Sequence, residues 1–161
     1  MSNTHIEAGW EGRFYENVTV GDVYKHPYGR TVTETDDVWF TNPTMNVNGT
    51  FILALAAGMS VMDVSMNATA NLGDDDIRHH SQVSHGDTIF AESKVLSKRE
   101  SESREHVGMV TTELRAYNQN NDLVLSLERT PVLKRENADV SPDQPPGWPE
   151  GVGTQQGDSD D

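Results

Sequence analysis

Cysteine is absent from this 161-residue chain, which excludes disulfides, thiolate nucleophiles and zinc ribbons. Positive charge is scarce: 12 Lys and Arg stand against 26 Asp and Glu, and the formal net charge is -14. Because such a surface repels phosphate backbones and anionic lipid, we expect neither a nucleic-acid partner nor a membrane partner. The acidic excess suggests a halophilic cytoplasmic protein, since salt near 1 M shortens the screening length to about 3 Å; ordinary acidic solubility is the alternative.

Long hydrophobic runs are also missing. Residues 51–59 carry no polar side chain, but nine residues are too few to span a bilayer. The first twelve residues contain no apolar segment like that of a signal peptide, so we expect a cytoplasmic location. The apolar stretch is therefore interpreted as part of a core helix.

This central helix is predicted over residues 50–72, because two separate faces of the segment are apolar and such a helix must be surrounded. Asn48 or Thr50 can cap its start, and Gly73 suits a left-handed position just past its end. Gly58 costs about 1 kcal/mol against Ala within a helix, so it indicates close backbone packing.

Alternation with a period of two predicts strands on both sides of this helix. Upstream, residues 30–34 are predicted as the first strand, followed by a short helix from about Thr35 that Asn42-Pro43 should end. Downstream, the predicted strands cover residues 89–95, 106–117 and 123–128, with residues 77–83 as a weaker candidate.

One early strand, one buried helix and a meander of long strands define an α+β protein. A curled antiparallel sheet wrapped around one central helix is the hot-dog fold, which we expect over residues 13–135. A single sheet covers only part of the helix, so we expect a dimer that continues the sheet. Residues 1–12 are interpreted as a polar arm, and the acidic Pro- and Gly-rich residues 136–161 as a disordered tail.

Histidines and aspartates suggest a metal site, but their spacing argues against one. On a single strand, His79 and His85 would lie roughly 20 Å apart, and His80 would face the other way. The aspartates at 74–76 lack the spaced ligands of a calcium loop. We therefore expect no metal.

Six short motifs together resemble the MaoC-like acyl-CoA dehydratases, and more narrowly their haloarchaeal members related to mesaconyl-CoA hydratase and R-specific enoyl-CoA hydratases. In chain order they are GRTVTETD at 29–36, TMN at 44–46, NGTF at 48–51, GMSVMDVS at 58–65, NLG at 71–73 and VSHGDT at 83–88. Each motif is weak alone, but their order makes the resemblance specific over residues 14–135.

The resemblance implies a hot-dog dimer that adds water to, or removes it from, an acyl-CoA thioester, with no other cofactor. In such proteins a carboxylate and an imidazole just before the central helix exchange protons with water and the substrate carbons. A backbone N–H at the helix start stabilises the thioester oxygen, and Gly49 matches that position. Asn48, Gly49 and Thr50 are thus the expected substrate-binding residues.

The chain departs from this pattern where the chemistry is expected. Asn46 occupies the position of the motif's Asp, no N-P-x-H follows, and no histidine lies between Pro27 and His79. Relatives carry about twenty more residues at this junction, too many for a turn variation. The resemblance therefore implies that the catalytic pair is missing.

Three functions remain open for such a chain. It is an acyl-CoA hydratase by descent that is inactive alone, or the non-catalytic subunit of a hot-dog heterodimer, or an acyl-thioester binding module. A thioesterase is disfavoured, because Asp63, the only candidate carboxylate on the predicted helix, would lie about 20 Å from Gly49 along its axis.

Overall fold

The computed structural model describes residues 10–40 and 47–136. Two short strands and a short helix come first: β1 (Val23–Lys25), β2 (Arg30–Thr31) and α1 (Glu34–Phe40). The central helix α2 (Gly49–Ser60) continues into a π-helical turn, Val61–Ser65. Four long strands complete the fold: β3 (Ala68–His79), β4 (Thr88–Glu100), β5 (Val107–Tyr117) and β6 (Leu123–Lys134).

The strands form one antiparallel sheet in the order β1-β4-β5-β6-β3, with β2 paired to β4 beside this path. Register shifts interrupt the pairing of β3 with β6 at three places, and one more interrupts β4 with β5. Irregularities of this kind bend and twist a strand, which lets the sheet curl around α2. The expected hot-dog architecture is confirmed.

Side chains that alternate along β5 show which face of the sheet is inside. Val110, Thr112, Leu114 and Ala116 are buried, and the residues between them are partly exposed. The inner side chains of β4 and β5 pack on α2 through Ile52 and Ala56, which are 3% and 0% exposed. This contact forms the main core.

The three later strand predictions are confirmed, because residues 89–95, 106–117 and 123–128 correspond to β4, β5 and β6. The short helix also forms, one residue earlier than expected. The predicted first strand, residues 30–34, is the second strand of the structure, after β1, and it is shorter: only Arg30 and Thr31 pair with β4 before α1 begins. The weak prediction at 77–83 is wrong in its bounds: β3 ends at His79.

The central helix is shorter than the sequence predicts. It ends at Ser60, and Gly73 lies within β3 instead of ending a helix. At Asn67 the backbone carbonyl accepts a hydrogen bond from the N–H of Lys134, and the side-chain amide donates to the carbonyl of Glu11. These long-range bonds draw the chain out of the helix and onto the sheet.

One face of α2 remains uncovered by the sheet. Ala54 and Gly58 are exposed, and nothing lies within 4 Å of a Cβ built on Gly58. The expectation that Gly58 marks close packing is therefore wrong within this chain. These residues line a groove of about 500 Å³, here called the α2 groove; its other lining residues are Pro27, Tyr28, Gly29, Arg30, Leu55, Met59 and Met62.

The described part of residues 1–12 contacts the end of the central helix. Trp10 donates its indole N–H to the carbonyl of Met62 at 3.0 Å. Arg13 follows with an ion pair to Asp63 at 2.8 Å and stacks over Tyr24 at 4.2 Å. Residues 137–161, where the disordered tail is expected, lie outside the described residues.

Asp63 joins a buried network on the other side of the helix end. His26 donates Nδ1–H to Asp63 at 2.9 Å, and its Nε2 is 2.9 Å from the hydroxyl of Ser93. The order Ser, His, Asp resembles a nucleophilic triad, but Ser93 is 1% exposed and no substrate reaches it. The network ties β1 and β4 to the π-helical turn.

Burial alone would raise the pKa of the Asp63 carboxyl, but the hydrogen bonds and charges of His26 and Arg13 outweigh it and hold that pKa below its ordinary value. A lowered pKa means that folding favours the carboxylate. The resulting stabilisation is present above the unfolded pKa, near 3.9, and is lost as pH falls through the folded value.

Among the described residues, no helix is long and apolar enough to cross a membrane.

Gly58→Ala is predicted to stabilise the chain by up to about 1 kcal/mol, because Ala favours the helix and the added methyl meets no atom. Urea unfolding of the wild type and the variant measures this difference. A loss of stability would show that another surface packs on Gly58 in solution.

Asp63→Asn is predicted to lower the free energy of unfolding at pH 7 by about 2 kcal/mol, because Asn keeps the size but loses the charge-assisted bonds. The deficit should shrink below about pH 4, because the unfolded wild-type chain takes up a proton at Asp63 more readily than the folded chain does. Urea unfolding at pH 7 and pH 3.5 tests the sign. A deficit that does not change with pH contradicts the account.

Candidate active site

The site is built at the first turn of α2, where backbone N–H groups have no partner within the helix. Asn48 caps the helix: its side-chain oxygen accepts from the backbone N–H of Thr50 at 2.8 Å and from the Thr50 hydroxyl at 2.5 Å. The N–H groups of Phe51 and Ile52 bond to the carbonyl of Asn48. The cap predicted from sequence is confirmed.

Gly49 is the first residue of α2, and the imidazole of His79 lies directly against it. A Cβ at position 49 would come within 2.7 Å of His79 Cε1 and 2.9 Å of Nε2. In the described part of the chain, the N–H of Gly49 has no hydrogen-bond partner. The residue therefore offers a free donor at the positive end of the helix, beside a histidine ring.

A cavity of about 260 Å³ opens beside this junction. Gly49, Ile52 and His79 form one side of it, and the start of the loop after β3 forms the other, with Ser81, Gln82 and Val83. Its remaining lining residues are Val47 and Val124. The cavity thus combines apolar walls with a backbone donor and an imidazole.

Asp37 lies under the same junction and is 1% exposed, although it belongs to a short surface helix. Its Oδ1 accepts from the backbone N–H of Asn48 at 3.4 Å, a long hydrogen bond. Phe40, from the same helix, packs edge-on against Phe51 with ring centroids 5.5 Å apart. This aromatic contact holds α1 over the start of α2 and places the Asp37 carboxylate there.

His85 completes the arrangement from the loop between β3 and β4. Its Nε2 lies 3.3 Å from Oδ2 of Asp37, and its side chain is 35% exposed. A carboxylate oxygen only accepts, so Nε2 carries the hydrogen and Nδ1 is the ring's acceptor. The buried carboxylate of Asp37 therefore contacts both the imidazole of His85 and the backbone just before Gly49. We call Asp37 and His85 the Asp37–His85 pair.

These positions correct our interpretation of the histidines. His79 and His85 are not on one strand, because β3 ends at His79 and the chain turns before His85. His79 and His85 instead lie near the start of α2: the His79 ring faces Gly49, and the His85 ring bonds to Asp37, whose carboxylate also accepts from the N–H of Asn48. His80 points to Ser126, with Nε2 2.8 Å from its hydroxyl. Within residues 10–40 and 47–136, no group of three or more His, Cys, Asp or Glu is arranged to hold a metal ion.

The sequence-predicted site residues meet different outcomes. Asn48, Gly49 and Thr50 lie together at the helix start, as expected. Asn46, the residue at the expected Asp position, lies outside the described residues. Sequence reasoning missed Asp37. Its only signal in the sequence was its position directly after Asp36, whose carboxylate accepts from the backbone N–H of Thr33 at 2.9 Å.

Comparison with known proteins agrees with this architecture. The sequence profile of the family described as mesaconyl-CoA hydratase matches residues 41–145. The chain is similar to the mesaconyl-CoA hydratase of Cereibacter sphaeroides (30% identity, 89% of this chain and 47% of that protein) and to that of Haloarcula marismortui (25%, 78% and 41%). A Chloroflexus aurantiacus structure described as a MaoC domain protein dehydratase superposes with a TM-score of 0.77 at 26% identity, covering 87% of this chain and 47% of that one.

The curled sheet around a single helix and the likeness to the Chloroflexus structure define the class: this is a MaoC-like protein with the hot-dog fold. Within that class, the chain belongs to the mesaconyl-CoA hydratase family. It spans about half the length of the curated relatives that it matches.

Gly49→Ala is predicted to displace the His79 ring at little cost, because the three atoms nearest to the added methyl all belong to that exposed ring. We expect the free energy of unfolding to change by less than about 1 kcal/mol while the His79 ring resonances shift in NMR spectra. In the His79→Ala background the same substitution meets no ring and should be neutral or stabilising. A loss above about 3 kcal/mol in both backgrounds would mean that backbone, not His79, faces Gly49.

Proposed function

We propose that this chain binds an enoyl-CoA thioester at the start of α2 and takes part in its hydration, with the carbonyl oxygen on the N–H of Gly49. The observation that carries the proposal is the free N–H of Gly49, at a capped helix start beside a cavity of about 260 Å³. A helix N-terminus favours the negative charge that develops on a thioester oxygen. Membership of the mesaconyl-CoA hydratase family supports this substrate class.

We further propose that hydration by this chain alone is at least about 100-fold slower than by relatives with the complete junction, because general acid–base groups contribute about 10² to 10⁴ in rate. The sequence has Asn46 at the expected Asp position and no histidine nearby in the segment before α2. Binding and slow turnover are therefore separate expectations.

A second unit of the same fold is part of this proposal. β3 is an edge strand, 12 residues long and mostly exposed, so its outer backbone groups are available to another strand. The α2 groove is apolar and exposes Met62, with 49% of its surface free. A second hot-dog unit, either a copy of this chain or a different one, would bury both surfaces.

The second candidate function is the non-catalytic subunit of a hot-dog heterodimer. The specific observation in its favour is the exposed edge strand β3, together with Asn46 at the position expected for the catalytic Asp. In this version an intact partner supplies the acid–base pair, and this chain supplies sheet and binding surface. Acyl-thioester binding without any turnover is the remaining alternative.

The binding step is tested with a matched pair of variants that differ in one N–H group. Asn48 already has an extended backbone (φ -64°, ψ 128°), which a following proline accepts, and proline is well tolerated at the first position of a helix. In the His79→Ala background, Gly49→Pro should bind butyryl-CoA about tenfold more weakly than Gly49→Ala, as measured by calorimetry. Equal affinities would show that the N–H of residue 49 does not bind the thioester.

Turnover is tested by following crotonyl-CoA and mesaconyl-CoA hydration by the purified chain, alone and mixed with an intact hot-dog hydratase chain. Slow hydration by the chain alone is the expected result. A rate equal to that of the Cereibacter relative would overturn the claim of reduced activity. A rate in the mixture above that of the same intact chain alone would select the heterodimer.

A further inference from the structure

We propose that the Asp37–His85 pair is a second acid–base site, which carries the residual hydration of an enoyl-CoA thioester bound at Gly49. His85 would be the catalytic residue and Asp37 its positioning residue. This inference rests on the proposed function, because it requires a thioester at the start of α2. It assigns the proton transfers to residues outside the segment before α2, in which the family's carboxylate and imidazole are expected.

The carboxylate of Asp37 is shared between His85 and the start of α2. Asp37 bonds through one oxygen to Nε2 of His85 at 3.3 Å and through the other to the N–H of Asn48 at 3.4 Å. Asn48 directly precedes Gly49, so the carboxylate that holds the imidazole also holds the residue next to the oxyanion donor. The two carbons that react in an enoyl thioester come directly after the thioester carbonyl, so they stay near this junction.

A rigid turn supports His85. Gly86 has φ 95°, a conformation that glycine adopts without strain, and it lets residues 84–87 form a tight turn. The Asp87 carboxylate accepts from the N–H of Ser84 at 2.8 Å. The turn is fixed to the core by two bonds of 2.8 Å, from the N–H of Gly86 to Val32 and from the N–H of Val32 to Asp87.

Asp37 and His85 differ in their exposure to solvent. Asp37 is enclosed, which keeps its carboxylate on the imidazole, while the His85 side chain is 35% exposed and reachable from solvent. Such a buried carboxylate fixes the tautomer of a catalytic histidine and stabilises the imidazolium that forms. With Nε2–H on Asp37, Nδ1 is the atom that can accept a proton.

The other described histidines fit the role less well. His26 is enclosed between Asp63 and Ser93, and His80 is bonded to Ser126. His106 lies at the far end of β5, in a cavity with Glu16 and Glu100. His79 touches Gly49, but no carboxylate is seen to hold its ring among the described residues, so it forms a wall of the site.

The step balances with one imidazole. Nδ1 of His85 takes a proton from water while the water oxygen bonds to the β-carbon, and the electrons of the C=C bond move to the thioester oxygen. Gly49 N–H stabilises this enolate, and Asp37 stabilises the imidazolium. The imidazolium returns the same proton to the α-carbon, which gives a 3-hydroxyacyl thioester and neutral His85.

The test compares two substitutions with a neighbouring control. We expect His85→Gln and Asp37→Asn each to lower kcat for crotonyl-CoA hydration about 100-fold or more, with the affinity for butyryl-CoA unchanged. His80→Gln should change neither quantity. Adding imidazole to a His85→Gly variant should recover at least tenfold of the lost rate, which a structural role of His85 would not allow.

The outcomes separate the two proposals. Unchanged turnover in His85→Gln, or no rescue by imidazole in a variant that still binds butyryl-CoA, would overturn the role of His85. A wild-type chain that binds butyryl-CoA but shows no hydration would also overturn it, while leaving thioester binding intact. Failure to bind butyryl-CoA would instead overturn the proposed function. Because Asp37 is buried, butyryl-CoA binding and thermal unfolding confirm that Asp37→Asn is folded.

Discussion

The fold depends on one packing contact, that of Ile52 and Ala56 of α2 against the inner face of β4 and β5. This contact is possible only because the sheet curls, and the sheet curls where β3 loses register with β6 at three places. Burying these side chains removes apolar surface from water, which is the largest favourable contribution to a core of this size. It also fixes the helix start, because Ile52 belongs to the first turn. The site is therefore positioned by the same contact that holds the sheet to the helix.

Sequence reasoning reached the parts of the fold that local patterns control. Period-two alternation located β4, β5 and β6, and Asn48 located the start of α2. It failed at the end of α2, because the apolar pattern continues past Ser60 while the chain leaves the helix. The cause is long-range: Asn67 bonds to Lys134 and to Glu11, more than 50 residues away in each direction. No local pattern carries that information.

The same distinction explains the site. Asn48, Gly49 and Thr50 were predictable, since a cap and a helix start are local features. Asp37 and the two histidines at the junction were not, because α1 is held over α2 by an aromatic contact and His85 is presented by a turn that docks on Val32. Sequence spacing placed His79 and His85 roughly 20 Å apart on an assumed strand, an estimate that fails once the strand ends. Only tertiary packing brings His79 against Gly49 and connects His85, through Asp37, to the backbone of Asn48.

The absence of one motif from a sequence does not settle the chemistry of a site. Hydration needs an oxyanion donor, a base for water and an acid for the α-carbon, and these roles are defined by position and proton affinity, not by chain order. Here the donor sits on α2, the carboxylate on α1 and the imidazole on the β3–β4 loop, three elements held together by the core. The Asp37 carboxylate is the link, because it contacts both the helix cap and His85. Beside the segment in which the expected Asp is Asn46, the chain therefore still has a histidine and a carboxylate near the helix start.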